Sequence, residues 1–283
     1  MSAVNAASSL ALLVLISLVP ALIYLLWVRR AERFQGEAWG TVLSAFAYGA
    51  LFATLTAAVV EAVIVGLGNS VSQHYPGPEF VFLNSGSPAG TFFLVLVVAP
   101  FVEEGLKGSG VFYFRSRFRQ IADGPVLGAS VGLGFGFFET FLYGLGAYLT
   151  GGLVAGIVLI LVRSVSSVVL HGSSTGMFGY GIARSAYKQP GPGSGSYYLL
   201  AVAMHAGFNA LASLTVILAL AGIGGFAANA AALLALVAAI AFAFGAIEHV
   251  RTVIQLADYP SITGGLRYKP PPPPTRAALT PKS

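Results

Sequence analysis

Long apolar stretches dominate this chain and constrain its fold more than any other feature. Seven segments are long enough for a membrane-spanning helix, which takes about 20 apolar residues. They lie near residues 8–28, 39–67, 90–114, 125–149, 152–182, 197–222 and 224–250. Only 9% of the residues are charged, against about 25% in soluble domains. The sequence therefore predicts an integral membrane protein with an all-α fold, a polytopic transmembrane helix bundle of about seven spans.

Basic residues in the connections set the expected orientation. Arginines or lysines follow the first, third, fifth and seventh spans, whereas the connections 68–89, 150–151 and 223 contain neither. The positive-inside rule then predicts the N-terminus outside and the C-terminus inside. Because the basic residues are scattered over short loops, the net charge of +5 indicates a bias of the cytoplasmic loops rather than a nucleic-acid partner. The lipid bilayer is the expected surrounding of the apolar spans.

The chain is expected to form one domain and a tail. Residues 1–255 make a single transmembrane helical domain, with a polar site in spans three to six, at about 90–222. Residues 256–283 include the run "KPPPPPTRAALTPKS", whose prolines predict a disordered cytoplasmic tail. Cysteine is absent, which excludes disulfides and Cys-ligated metals.

Ionisable residues inside spans are costly and usually face the bundle interior or a water-filled cavity. The third span reads "APFVEEGLKGSG", in which Glu103 and Lys107 are four residues apart and share a helix face. Glu104 points about 100° away around the helix. We expect Lys107 to form an ion pair with Glu103, which leaves Glu104 available to activate water. The reverse assignment of the two glutamates stays open. Pro100 predicts a kink just upstream.

The fourth span, "GLGFGFFETF", places Glu139 four residues after Phe135 on one helix face. Its three glycines allow another backbone to approach closely; they are Gly132, Gly134 and Gly136. The sequence therefore predicts a glycine packing face next to one buried acid.

The fifth and sixth spans add a polar stripe each. Arg163, Ser167 and His171 follow one another at four-residue spacing, so they lie on one face of the fifth span. His205 and Asn209 share a face of the sixth span. A buried arginine demands an acidic partner, and Glu139 or Glu104 is the expected one.

These residues are expected to meet in one cavity. A rise of about 1.5 Å per residue puts the acids and imidazoles of spans three to six in the middle or inner half of the membrane; they are Glu103, Glu104, Glu139, His171 and His205. Glu61 of the second span is predicted nearer the outer surface, outside this cavity.

A carboxylate and an imidazole around a water molecule form a general-base arrangement for attack on a carbonyl. A histidine with Asn209 can also stabilise a developing oxyanion. Nucleophilic serine is disfavoured because no G-x-S-x-G motif is present. No H-E-x-x-H zinc motif occurs either. We expect no metal cofactor, although two histidines and a glutamate can ligate zinc and zinc is not excluded.

The ordered set of motifs resembles the PrsW family of glutamic-type intramembrane proteases, within the larger group that includes the CAAX prenyl endopeptidases. The segment "EEGLK" at 103–107 fits E-E-x-x-K, "FGFFE" at 135–139 fits F-x-x-x-E, and "HAGFN" at 205–209 fits H-x-x-x-N. His171 fits the remaining histidine motif. The CAAX branch typically has E-E-x-x-x-R and F-x-x-x-H, so Lys107 and Glu139 favour the PrsW branch.

The resemblance, over about residues 95–215, implies an endopeptidase of a prokaryotic cell membrane that cleaves membrane-anchored proteins. Glu103 or Glu104 would activate water, and His205 would act as a base or oxyanion donor. The supporting residues would be Glu139, His171, Asn209, Lys107, Arg163 and Phe135. The best-known family role is cutting an anti-sigma factor outside the membrane. A site in the inner half fits that role only if a water-filled path leads in from outside.

Two other classes of function stay open on the sequence. A non-catalytic multi-pass scaffold or chaperone of the same superfamily would keep the bundle without proteolysis. A proton-coupled transporter would use intramembrane Glu, Arg and His as a relay. The sequence shows no internal repeat or matched pair of broken helices of the kind that transporters often have.

Overall fold

A computed structural model describes residues 3–34, 36–220 and 222–258, and within these ranges every regular element is helical. The ten α-helices are α1 Ala3–Arg29, α2 Trp39–Ala47, α3 Thr54–His74, α4 Pro88–Phe93, α5 Ala99–Phe114, α6 Asp123–Ser164, α7 Ser167–Ala186, α8 Ser194–Ala212, α9 Leu214–Leu220 and α10 Gly225–Ala257. Two π-helical segments join α2 to α3 and α4 to α5, at Tyr48–Ala53 and Leu94–Val98. The predicted tail from 259 onward lies outside the described residues.

Five helical stretches among the described residues are long and apolar enough to cross a membrane: Ala7–Arg29, Trp39–His74, Pro88–Arg117, Asp123–Ala186 and Gly225–Ala257. The pair α8 and α9, bent by 57°, gives a sixth if it counts as one span. The predicted all-helical membrane fold is confirmed. The number of crossings and the orientation stay predictions.

The stretch Asp123–Ala186 folds back on itself. Gly152 has φ 83° and ψ 179°, a conformation that breaks the helix and suits glycine because it has no Cβ. On either side of this break the close contacts pair residues in opposite order: Gly124 with Gly179, Gly128 with Thr175, Gly132 with His171, and Gly144 with Ile160. Residues 123–151 and 153–186 therefore form an antiparallel helical hairpin. Its arms correspond to the predicted spans at 125–149 and 152–182.

The glycines of the fourth predicted span serve two interfaces. A Cβ on Gly132 would meet the carbonyl group of His171 in α7, whereas one on Gly134 would meet the carbonyl of Phe46 in α2. Small residues that let backbones approach closely are typical of helix packing in membranes. The predicted single glycine face is thus two faces, which hold α6 between α7 and α2.

The irregularity predicted at Pro100 takes the form of a π-helical segment. Leu94–Val98 directly precedes Ala99 and Pro100 within the continuous helical stretch Pro88–Arg117. Proline lacks the amide hydrogen of a regular helical bond, and a local π segment accommodates the mismatch. Segments of this kind occur frequently at functional sites.

A buried polar cluster closes the end of the bundle that is predicted to be cytoplasmic. Asp258, just after α10, accepts hydrogen bonds from the backbone amides of Arg33 at 2.5 Å and Phe34 at 3.0 Å. It also accepts one from the side chain of Gln120 at 2.9 Å. The α1–α2 connection, the α5–α6 connection and the end of α10 are thereby tied together.

Glu32 lies in the same cluster, outside the membrane-spanning stretches. It accepts a hydrogen bond from the amide of Glu37 at 2.8 Å and lies 3.1 Å from Arg29. Burial raises the pKa of Glu32 to about 8, and the carboxylates of Asp123 and Asp258 act in the same direction. The Glu37 amide and Arg29 lower this pKa but do not reverse the shift.

Candidate active site

Four helices bring the predicted site residues into one buried cluster. Helix α5 supplies Glu103, Glu104 and Lys107, α6 supplies Glu139, α7 supplies His171, and α8 supplies His205. Five of these residues are buried, and Glu139 is partly buried with a side chain only 17% exposed. One shared polar site, as the sequence predicted, is therefore present in the structure.

Glu104 is the most firmly held acid of the cluster. Its Oε1 accepts hydrogen bonds from Lys107 Nζ at 2.7 Å and Ser174 Oγ at 2.9 Å, and its Oε2 accepts one from Thr175 at 3.0 Å. His205 Nδ1 lies 3.2 Å from the same Oε1. Both carboxylate oxygens of Glu104 are thus engaged by protein groups.

Lys107 pairs with both glutamates and is nearer to Glu104, which is the reverse assignment that the sequence had left open. Lys107 Nζ is 3.5 Å from Glu103 Oε2 but 2.7 Å from Glu104 Oε1. Residues three and four apart on a helix are both within reach of a long side chain, so helix spacing alone did not decide between them. Hydroxyl groups of α7, from Ser174 and Thr175, fix Glu104.

Glu103 has an oxygen that is ion-paired with Lys107 but accepts no hydrogen bond within the described part of the chain. Its Oε2 is buried and has no hydrogen-bond partner among the described residues. It lies 3.9 Å from His171 Nδ1 and 3.9 Å from His205 Nε2. These separations exceed hydrogen-bond range and suit an intervening group shared by the three side chains.

Each histidine is oriented by a carboxylate on its far side. His171 Nε2 lies 2.8 Å from Glu139 Oε2, and His205 Nδ1 lies 3.2 Å from Glu104. Because a carboxylate accepts hydrogen bonds, these nitrogens carry the protons in the neutral rings. His171 Nδ1 and His205 Nε2 are then unprotonated and face Glu103. The network thus fixes both the orientation and the tautomer of each ring.

Glu139 also holds the buried arginine. Arg163 donates to Glu139 at 2.6 Å and to Ser167 at 2.9 Å. The sequence left Glu139 and Glu104 as alternative partners, and the structure assigns Glu139. The guanidinium also lies 4.0 Å from the centre of the Tyr143 ring.

Two supporting residues pack or hydrogen-bond around the cluster. Phe135 places its ring 4.5 Å from Lys107 Nζ and 5.1 Å from the His171 ring. Asn209 donates to the carbonyl of Val95 at 2.9 Å, within the π-helical segment before α5. Asn209 therefore ties α8 to the irregular part of the third predicted span.

A cavity of 450 Å³ opens beside the cluster. Its lining includes Glu103 and both histidines, and it continues along residues that lie nearer the Gly152 end of the bundle than the cluster does: Leu94, Val95, Leu142, Tyr143, Arg163 and Ala212. The polar cluster therefore sits at the deep end of a cavity that leads toward the Gly152 turn.

Glu61 is the lining residue that the sequence reasoning placed elsewhere. It lines this cavity together with Glu139 and Arg163, and its Oε1 is buried without a hydrogen-bond partner among the described residues. The expectation that it lies outside the site is wrong. Glu61 is two turns after Thr54, which directly follows the π-helical segment Tyr48–Ala53, and linear depth counting does not capture that irregular turn.

One group of three side chains among the described residues brings possible metal ligands together: Glu103, His171 and His205. One ligand atom from each lies within 4.8 Å of the other two. Two histidines and a glutamate are a donor set of catalytic zinc sites. Glu139 and Glu104, which contact the far nitrogens of the two rings, would be the carboxylates that orient the histidines toward a metal. Glu103 Oε2, which accepts no hydrogen bond from the described residues, also fits, whereas Lys107 Nζ, 2.9 Å from His171 Nδ1, competes for that nitrogen.

The fold and the site together define an integral membrane protein with a buried carboxylate–histidine centre at a cavity wall. The model of the PrsW family, described as intramembrane metalloproteases, matches residues 37–245. The chain belongs to the PrsW family, and this membership supports an intramembrane protease. No curated protein and no solved structure matches the chain. The predicted glutamic subtype differs from the metalloprotease of the family description.

Proposed function

We propose that this protein is an intramembrane endopeptidase that hydrolyses membrane-anchored proteins, with Glu103 as the base that activates water. The observation that carries the proposal is Oε2 of Glu103, which accepts no hydrogen bond from the described residues and is buried at the cavity wall, 3.9 Å from a nitrogen of each histidine. A buried acceptor without a donor costs free energy, and this one lies beside a cavity through which a water molecule can bring the missing donor.

The tautomers suit the handling of a water molecule. Glu103 Oε2 and His205 Nε2 are both acceptors, so one water can donate a hydrogen to each and keep a lone pair for attack. Glu103 takes a proton as the water oxygen bonds to the scissile carbonyl carbon. That proton then passes to the leaving amine as the C–N bond breaks. The sequence left His205 the role of base or of oxyanion donor. Its unprotonated Nε2 favours the first of these, in which it accepts a hydrogen bond from the water that Glu103 deprotonates.

Arg163 is the donor best suited to the developing oxyanion. It lines the cavity, and its Nε is buried without a hydrogen-bond partner among the described residues. Preorganised donors in a site that excludes water are among the largest contributions to acyl-transfer catalysis. Glu139, which binds both Arg163 and His171, acts as a positioning residue.

A metal is compatible with the same side chains. Glu103, His171 and His205 would hold it, and a bound zinc ion would supply an acidic water and polarise the substrate carbonyl. Lys107 would then hydrogen-bond Glu104 alone and give up its contact with His171. Glu104 and Glu139 would orient the two rings in either case, whereas Glu103 and His205 would be ligands of the metal instead of direct acceptors of the water hydrogens.

The direction of the cavity supports access from the outer side. In the orientation predicted by the basic loops, the Gly152 turn lies outside, so the cavity leads from the outer half of the membrane to Glu103. A path of this kind removes the conflict between a deep site and a substrate that is cut outside.

The test is proteolysis in proteoliposomes that contain the full-length protein and a library of single-span membrane proteins. Fragments are identified by mass spectrometry, which gives the position of each new terminus. We expect at least one library member to be cut by the wild-type protein and to stay intact with Glu103→Gln.

The matched control is Glu248→Gln, which removes an exposed glutamate that pairs with Arg251 on α10. This variant should cut like the wild type. Absence of any cleavage by the wild-type protein, or equal cleavage by Glu103→Gln, would overturn the proposal.

A further inference from the structure

A second concavity adjoins the active-site cavity on the outside of the hairpin. It has a volume of 620 Å³ and is lined by Leu142, Tyr143, Gly146, Ala147, Thr150 and Leu159. Leu142 and Tyr143 also line the active-site cavity. The two spaces therefore meet at Tyr143, whose ring carries Arg163 on one side. This surface is named the hairpin groove below.

The floor of the hairpin groove is made of small residues that the chain itself does not use for packing. A Cβ on Gly146 would meet nothing within 4 Å. By contrast, Gly144 of the same helix packs against Ile160, and Gly132 packs against His171. Thr150 lies four residues after Gly146 and three after Ala147, so it shares a helix face with each of them. The free space over Gly146 is thus suited to close approach by a further helix.

The position of the hairpin groove decides the chemistry of its occupant. It lies on the apolar stretch Asp123–Ala186, and Leu142, Tyr143 and Gly146 face outward there. In the hydrocarbon region a segment must satisfy its own backbone hydrogen bonds. A polypeptide that lies on this surface is therefore an apolar helix. Where it enters the polar active-site cavity, which Glu139 lines, its backbone can find other hydrogen-bond partners and the helix can end.

We infer that the hairpin groove docks the transmembrane helix of the substrate and delivers its end past Tyr143 to Glu103. The inference rests on the proposed protease function and names the surface that selects membrane-anchored substrates. Helix α3 forms the facing wall of the cavity through Ala57, Ala58 and Glu61. Entry then lies between α3 and α6.

Disulfide cross-linking tests the docking directly, because the chain contains no cysteine and one introduced cysteine is unique. Gly146→Cys is reconstituted with single-span proteins that carry one cysteine in the middle of their span. Gly245→Cys on α10 is the matched control, since Gly245 is also exposed and a Cβ there meets nothing within 4 Å. Cross-links should form at position 146 at least about tenfold more than at 245, which corresponds to about 1.4 kcal/mol.

Equal yields at the two positions would overturn the inference. Predominant cross-links between two copies of Gly146→Cys would also overturn it, because the occupant would then be a second copy of this chain. Cross-linking at 146 without any cleavage by the wild-type protein would keep the docking surface and discard the protease. Cleavage without preferential cross-linking would do the opposite.

A filled groove gives a second readout. Gly146→Leu should slow cleavage of single-span proteins at least about tenfold, whereas Gly245→Leu should cut at the wild-type rate. Neither variant should unfold below the wild-type temperature, because a Cβ at either position meets nothing within 4 Å and leucine favours a helix more than glycine does. Unchanged cleavage by Gly146→Leu would contradict docking in the hairpin groove.

Discussion

At the scale of single residues, the two adjacent glutamates have different surroundings and therefore different expected tasks. Glu104 is bound by Lys107, Ser174 and Thr175. Glu103 has one oxygen at the cavity wall that accepts no hydrogen bond from the described residues. In the proposed mechanism Glu104 is therefore the structural acid that fixes the centre, and Glu103 is the reactive acid.

This division predicts that two conservative substitutions differ in their effect on the free energy of unfolding. Glu104→Gln removes the nearest counter-charge of Lys107, and breaking a buried ion pair from one side costs about 3 kcal/mol of unfolding free energy. Glu103→Gln should leave the unfolding free energy within about 1 kcal/mol of the wild type and abolish cleavage. Unfolding in mixed micelles measures both. A larger loss of stability in Glu103→Gln than in Glu104→Gln would refute the division.

The residue types of the site were predictable, whereas their pairing was not. Helical periodicity and depth brought Glu103, Glu139, His171 and His205 to one site. The need of a buried arginine for an acid narrowed the partner of Arg163 to Glu139 or Glu104. The partner of Lys107 depended on hydroxyls of α7 that no spacing in α5 can show. Glu61 was missed because its place follows from the path of α3 rather than from a local pattern.

At the scale of elements, glycine contacts decide how closely α6 packs against α7. A Cβ on Gly132 would meet the carbonyl of His171, so the packing of this residue also sets the position of a site histidine. The hydropathy of the sequence located both arms of the hairpin. The assignment of each glycine to α7 or α2 required the three-dimensional packing.

Gly132→Ala should therefore lower the unfolding free energy by about 1–3 kcal/mol, the usual cost of overpacking. It should also reduce cleavage, because His171 moves with its backbone. Gly146→Ala on the same helix is the control, since a Cβ there meets nothing. Thermal unfolding in detergent measures the first effect. Equal stability of the two variants would show that α6 and α7 do not depend on this contact.

The polar cluster at the predicted cytoplasmic end should make stability depend on pH. The pKa of Glu32 is raised to about 8 in the folded state, so the folded protein holds a proton that the unfolded chain releases near pH 4.5. Between these values the folded state binds more protons, and stability falls as the pH rises. Melting temperatures measured from about pH 5 to about pH 9 should decline.

Glu32→Gln provides the check on this prediction. A glutamine cannot release a proton, so its melting temperature should vary less with pH than that of the wild type. A wild-type melting temperature that rises over the same interval, or identical slopes for both proteins, would contradict the assignment to Glu32.

At the scale of the whole molecule, a helical bundle surrounds a polar centre that is reached through a cavity from one end. Apolar length predicted the bundle, and the π-helical segments at Tyr48–Ala53 and Leu94–Val98 were not predictable from hydropathy. The cavity is lined by Val95 of the second segment and by Thr54, the residue directly after the first. The bundle thus departs from regular helix geometry where the proposed hydrolysis takes place.

The central claim is that this cavity holds a hydrolytic centre in which Glu103 activates water. The most direct test is the single-turnover cleavage rate of one single-span substrate in proteoliposomes, compared between the wild type and Glu103→Gln at equal unfolding temperature. Loss of a general base lowers the rate by about 10²–10⁴, so the account predicts a fall of at least about 10². A Glu103→Gln rate within about threefold of the wild type, far short of a general-base contribution, would contradict it.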